Sequence, residues 1–218
     1  MKITLAIVNF NRANFLKRAI RSAQNQIRIG FDVEIIFVDD GSIDGSVDLV
    51  KSLSHNLVCK LLTENSGVGN ASQVALEMAT GKYFIRLDSD DYLSPISCLT
   101  LFTALEAKSS FSYAYADHFR VDDNETRVSL VELKTFDQLT KHGAGVMFRT
   151  SALKEIGGYD SKLRHGEDAD LIFRLKEAKH RGLYLPIPLY RYHIHGGNLS
   201  LNPNQSLQQN EIRRRYGI

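Results

Sequence analysis

The chain has 218 residues, 43% of them hydrophobic and 24% charged, with a formal net charge of +2. That length accommodates one large domain or two small ones, and the composition belongs to a folded globular chain rather than a disordered one. The small net charge, with no basic stripe interleaved with aromatics, argues against nucleic acid as a partner.

The opening "MKITLAIVNFNR" has too short an apolar core for a secretory signal, and no run approaches the roughly 20 apolar residues that span a bilayer. Cys59 and Cys98 match no metal or redox spacing. Two unpaired thiols without an export signal predict a reducing, cytoplasmic setting.

In chain order, "ITLAIV" (3–8) reads as a buried strand, and Phe15, Leu16, Ala19, Ile20 and Ala23 keep helical spacing over 12–26. "VEIIFV" (33–38) is a second strand, followed by a helix at about 44–54 and the strand "LVCKLL" (57–62). A helix over 69–79 and a strand at 82–87 complete the alternation. Alternation of this kind predicts an α/β fold with a mostly parallel central sheet flanked by helices, and ligands at the carboxyl ends of its strands.

Ser94 and Pro95 form a helix start, capping hydroxyl then proline, for a helix over 95–108. Strands are predicted at 111–116 and 143–149, with a polar hairpin or loop at 120–127. A helix is predicted within 165–182, with Gly182 as its stop. The polar segment after residue 200 reads as loosely packed, and Arg213–Arg215 as a solvated basic tail. Three arginines would give a peripheral attraction to anionic lipid of only about 3 kcal/mol. Without a repeat or a linker, residues 1–218 read as a single domain. Its donor half is about 1–95, its acceptor half about 96–200, and its tail 201–218.

Two acidic clusters follow two of the predicted parallel strands: Asp39-Asp40, and Asp88, Asp90 and Asp91 in "LDSDD". Aspartate is common in turns, but two clusters on one expected rim point beyond turn chemistry. Like charges so close repel one another unless a cation intervenes, and an Asp-x-Asp pair offers hard oxygen ligands to Mg²⁺ or Mn²⁺ shared with substrate phosphates. A calcium loop would need a closing glutamate, which is absent. An aspartyl-phosphate enzyme would need its nucleophile on the first strand, which ends in "VNFNR".

With these pieces in order, the chain resembles the family-two glycosyltransferases of GT-A fold from about residue 3 to 200. "LAIVNFNRANFLKRAIRSAQNQ", "VEIIFVDDGSIDGS", "ENSGVGNASQVALEMATGKYFIRLDSDDYLSP", "GAGVMFRTSALKEIGGYDSKLRHGEDADLIFRL" and "YRYHIHGGNLS" follow that family's sequence of motifs. The resemblance implies inverting transfer of a sugar from a nucleotide-sugar donor, UDP favoured, to a glycan, lipid-linked or protein acceptor, assisted by Mn²⁺ or Mg²⁺. It is the kind of step that builds bacterial surface polysaccharide.

It further implies that Asn9 and Phe10 flank the base, Asp40 accepts a hydrogen bond from it, Asp88 reaches the ribose and Asp90 binds the metal. Asp168 matches the catalytic base, with Glu167 orienting the acceptor or the loop. Arg174 is expected to pair with Asp170, four residues away, which leaves Asp168 as the free acid. His195 completes the metal shell or contacts the diphosphate, with His193 the lesser candidate, and the loop 196–202 is a candidate lid. Asp39 either contacts the nucleotide or orients its turn.

Ser72 stands where many relatives carry an arginine, and Asn70 or Gln73 would be neutral substitutes. A catalytically silent nucleotide-sugar-binding module is the alternative. A nucleotidyltransferase would need a glycine-rich basic loop after the first strand, and "VNFNR" is not one.

Overall fold

A computed structural model describes residues 1–53, 57–198 and 211–217. Its first half alternates as β1 (Lys2–Asn9), α1 (Ala13–Gln24), β2 (Asp32–Asp39), α2 (Ser46–Leu53), β3 (Leu57–Leu61), α3 (Val68–Met78) and β4 (Tyr83–Asp88). The first four strands lie parallel in the order β3-β2-β1-β4. Strand β1 is buried on both faces, because α1 and α3 cover opposite sides of the sheet. Ile3, Leu5 and Ile7 join Leu16, Ala19 and Ile20 of α1 in one apolar cluster. Ala6 and Val8 join Ala71 and Ala75 of α3 in another. Each such leucine or isoleucine contributes about 1.5–3 kcal/mol on full burial.

The chain order reverses at β1, whose neighbours are β2 on one side and β4 on the other. Asn9 pairs with Asp39, and Val8 with Asp88, so the carboxyl ends of three strands finish level. That is the position where open α/β sheets bind ligands.

The second half comprises β5 (Tyr92–Leu93), α4 (Ser97–Ala107), β6 (Tyr113–Val121), β7 (Arg127–Val131), α5 (Phe136–Leu139), β8 (Met147–Arg149), α6 (Thr150–Glu155), α7 (Glu167–Glu177) and β9 (Gly182–His193). It extends the same sheet as β4-β8-β6-β9-β5, with β7 beside β6. Here β8 runs antiparallel to β4 and β6, and β7 antiparallel to β6, whereas β9 lies parallel to β6. Between the pairs Ala116↔Leu185 and His118↔Tyr190, β9 advances five residues while β6 advances two, a bulge that contains Pro186 and Pro188. Those prolines hide a twelve-residue strand from sequence inspection.

Several local expectations give way. Helix α4 begins at Ser97, not Pro95, and has no side-chain cap; the Ser94 carbonyl instead accepts from the Ser97 amide at 3.0 Å. The strand expected over 143–149 shrinks to Met147–Arg149, because Gly145 adopts φ 75° and donates its N–H to the Arg86 carbonyl. Helix α7 stops at Glu177, just before Lys179 at φ 63°, while Gly182 opens β9.

The end of the chain is not loose over its described part: Ile212 is buried with Phe173, and Tyr216 stacks on Phe173 at 4.6 Å. Nor is Arg213 merely solvated, since it pairs with Asp137. The helix expected at about 44–54 is found as α2, Ser46–Leu53, with residue 54 outside the described residues, and the expected lid over 196–202 is described only as far as residue 198. Among the described residues no helix is long and apolar enough to cross a membrane.

Candidate active site

A cavity of about 870 Å³ opens along the carboxyl rim and continues under the second half. Asn9, Phe10, Asp40, Asp88, Asp90, Glu167 and Asp168 all line it. His195 stands behind Asp90, with Nε2 3.0 Å from Oδ2.

The rim is held by its own polar network. Asn9 donates to Asp39 Oδ1 at 2.7 Å, and the Ser42 amide donates to Asp39 Oδ2 at 2.8 Å. Both oxygens of Asp39 therefore serve the turn. Asp40 accepts the amides of Ser66 and Gly67 at 2.9 and 2.8 Å, which ties the end of β2 to the loop before α3. Desolvation raises the Asp40 carboxyl above its usual range, against those two bonds. Gly41 makes the turn possible: at φ 75°, a Cβ there would lie 2.6 Å from the Glu64 carbonyl carbon.

The three acids of "LDSDD" part company. Asp91 is buried and accepts from the Tyr190 hydroxyl at 2.7 Å and the His193 amide at 2.8 Å, so it is a strut to β9. Asp90 accepts from Arg12 Nε at 2.9 Å as well as facing His195. Burial alone would raise it, but those two partners prevail and hold its carboxyl below the ordinary value. Asp88 is pushed up to about 6 by desolvation, a rise that the Arg86 guanidinium at 3.1 Å limits.

Arg86 organises the centre. It lies on β4, 2% exposed, and donates to Glu167 at 2.8 Å, to Asp168 at 2.9 Å and to Ser72 Oγ at 3.2 Å. Glu167 and Asp168 open helix α7, where acids also favour the helix dipole. Asp168 additionally accepts the Gly143 amide at 3.3 Å, while its Oδ1 is buried without a hydrogen-bond partner. Desolvation raises its carboxyl to about 6; Arg86 opposes the rise and Glu167 adds to it. Asp170 pairs with Arg174 at 2.7 Å and with Tyr216, and so faces away from the cavity.

Two further expectations need revision. Neither Asn70 nor Gln73 lines the cavity, and Gln73 is spent on Glu77 and the Tyr159 amide. The cation beside buried Ser72 comes from the neighbouring strand, as Arg86. His193 is buried, with its ring against Phe15 and His195, and it does not line the cavity.

Arg12, Arg86 and Gly143 escaped sequence reasoning. Arg86 had one visible signal, a lone charge inside the apolar run "YFIRL". Arg12 sat in a recognised turn without an evident partner.

The comparisons agree with this architecture. The chain is 25% identical to a chondroitin synthase of Pasteurella multocida over 96% of its own length, and 25% identical to a hyaluronan synthase of the same species over 99%. It spans only 22% and 23% of those two proteins. Among solved structures, S. aureus TarS 1-349 in complex with UDP-GlcNAc superposes with a TM-score of 0.80 at 22% identity, over 99% of this chain and 65% of that one. A Pyrobaculum calidifontis mannosyltransferase in complex with GDP-Man and Mn²⁺ reaches 0.74 at 17% identity, over 95% and 61%. At those identities the structural likeness speaks for the GT-A fold alone. The family model described as glycosyl transferase family 2 matches residues 4–157, well over half the chain, and the protein belongs to that family.

Proposed function

We propose that this chain is an inverting glycosyltransferase that moves a sugar from a nucleoside-diphosphate donor, a UDP-sugar first among candidates, to an acceptor hydroxyl. The observation that carries the reading is the shared cavity: the acids of the donor rim and a separate acid on α7 meet in one crevice across Arg86. Relatives named as polysaccharide synthases, and a like fold crystallised with UDP-GlcNAc, support the substrate class.

At the donor end, Phe10 is 41% exposed and offers an aromatic face to a base, beside Asn9. Asp40 has spare lone pairs beyond its two backbone bonds, enough to accept from a base N–H. Asp88 is the acid assigned to the ribose. Arg12 and His195, gathered on Asp90, provide donors near the departing diphosphate.

A divalent cation, Mn²⁺ or Mg²⁺, fits these residues. Both described partners of Asp90 bond to Oδ2, which leaves Oδ1 available, while Asp88 Oδ1 nearby already faces Arg86 Nε at 3.1 Å. No group of three potential ligands gathers among the described residues. Asp90 would hold it, and when bound it supplies Lewis-acid stabilisation to the leaving phosphates.

Asp168 acts as general base. Its carboxyl, raised to about 6, is ionised at neutral pH and still basic enough to take a proton, a role worth roughly 10²–10⁴-fold. The acceptor oxygen gives its proton to Asp168 and bonds to the anomeric carbon as the bond to the diphosphate breaks. A single displacement inverts the configuration. Glu167, anchored on Arg86, orients the α7 terminus. Two free thiols, Cys59 and Cys98, are consistent with a cytoplasmic site of action.

The test is a thermal-shift panel of nucleotides with and without Mn²⁺, followed by donor turnover. UDP at 100 times its dissociation constant should stabilise by about 2.7 kcal/mol. Asp90→Ala should lose the Mn²⁺-dependent part, and Asp168→Asn should keep it while transfer stops. Donor binding without consumption in any acceptor mixture would leave a binding module instead.

A further inference from the structure

The cavity continues past Asp168 into an arm lined by the second half of the chain. Its walls are His118 and Arg120 from β6, Lys141 and His142 from the turn after α5, and Tyr192 from β9. The imidazoles of His118 and His142 stack at 4.1 Å, and each keeps one ring nitrogen, Nδ1 and Nε2 respectively, buried without a hydrogen-bond partner. His118 is 4% exposed. Imidazoles that the protein itself leaves partly unsatisfied are costly to bury, and both of these rings line the cavity. The arm adjoins the base directly, because Gly143, next to His142, donates its amide to Asp168.

Charge is segregated along the cavity. All its acids, Asp40, Asp88, Asp90, Asp91, Glu167 and Asp168, lie on the rim or around Arg86. The arm is lined by no carboxylate at all among the described residues. It holds Arg120, exposed and without a hydrogen bond or ion pair among the described residues, and Lys141, whose partner Asp137 is shared with Arg213. Arg120 also helps keep both imidazoles neutral: burial lowers His118 to about 4 and His142 well below its usual value, and the nearby guanidinium adds to both shifts. An unpaired arginine at the mouth of a site is a fork for a planar or tetrahedral anion.

We propose that this arm is the acceptor subsite, and that the acceptor is a sugar or polyol carrying an acid group, carboxylate or phosphate, which Arg120 binds with Lys141 in support. The neutral imidazoles of His118 and His142 meet the acceptor hydroxyls, and the Tyr192 ring offers an apolar face to the sugar. One hydroxyl is thereby held beside Asp168. This inference rests on the transferase reading, and it narrows the acceptor to an anionic class.

The experiment is a ligand-detected NMR titration on the full chain saturated with UDP and Mn²⁺, using three probes: methyl β-D-glucuronide, glycerol 3-phosphate and methyl β-D-glucoside. At least one charged probe should bind about tenfold more tightly than the glucoside, and which one does so identifies carboxylate or phosphate as the source. Arg120→Gln should abolish that preference and Arg120→Lys should retain most of it, with circular dichroism confirming that both variants are folded. Equal binding of all three probes, or a preference that survives in R120Q, overturns the proposal. Failure of UDP to bind in the same samples would instead overturn the nucleotide-sugar reading, so the two fail separately.

Discussion

The Arg86 guanidinium and the Asp168 carboxylate meet at 2.9 Å across 82 residues of sequence, and through them strand β4 is fastened to helix α7. One buried cation faces three acids, Asp88, Glu167 and Asp168. Desolvation lifts two of those carboxyls toward neutrality, Arg86 opposes the rise, and the neighbouring acids add to it.

The first consequence is a pH dependence of turnover. A base must be ionised to work, so kcat/KM should fall below about pH 6, where Asp168 takes up its proton. Arg86 favours the carboxylate, so Arg86→Met should move this acid limb to higher pH. It should also cost about 3–5 kcal/mol of stability by leaving buried acids unpaired. A pH–rate profile beside a denaturation curve checks both; an unmoved limb would detach Arg86 from the base.

Stability should carry the opposite signature. The folded state raises Asp168 from 3.8 to about 6, so it holds that proton more tightly than the unfolded chain does. The associated stability is present below pH 3.8 and is lost as pH rises toward 6. Asp168→Asn mimics the protonated acid and should be about 1–3 kcal/mol more stable than the parent at pH 7.5, with the gap closing by pH 4.5. Urea titrations at the two pH values make the comparison.

Gly143 should be intolerant of a methyl group. A Cβ there would lie 2.6 Å from Asp168 Oδ1, so the carboxylate would have to move. Gly143→Ala should lower kcat by about 10²-fold, the scale expected for a misplacement near 1 Å, while UDP affinity stays near that of the parent. Steady-state kinetics with calorimetric UDP binding separates the two effects.

Ser72 and Arg86 should be energetically coupled. Ser72 is fully buried and already accepts from the Arg86 guanidinium at 3.2 Å, so Ser72→Arg forces two cations into one space. That single variant should unfold at markedly lower denaturant, and adding Arg86→Leu should recover part of the loss. A double-mutant cycle should yield a coupling of about 0.5–3 kcal/mol. Strict additivity would mean that the two positions do not share that space.

The alternation of β1 through β4 was readable because apolar periodicity and strand length are local properties, and the acids at strand ends were visible as interruptions of apolar runs. The sequence also contained Asp40, Asp88, Asp90 and Asp168 as candidates. What it concealed is their division of labour. Asp91 and Asp39 look equivalent to their neighbours in the sequence, yet the first is committed to Tyr190 and His193 and the second to Asn9 and Ser42. Strand β9 was hidden for a related reason: its prolines, which have no N–H for a regular ladder, fall where the register with β6 shifts on either side of Asp117.

Sequence by itself determined the fold class, the family's motifs and the acids at the strand ends, since each is read from short local stretches of chain. The tertiary structure alone decided that Arg12 faces Asp90, that Arg86 fills the space beside Ser72, and that a basic, histidine-lined arm begins at Asp168. Those partners lie up to 78 residues apart along the chain, and only the packing of helices and the second half against the sheet brings them within reach.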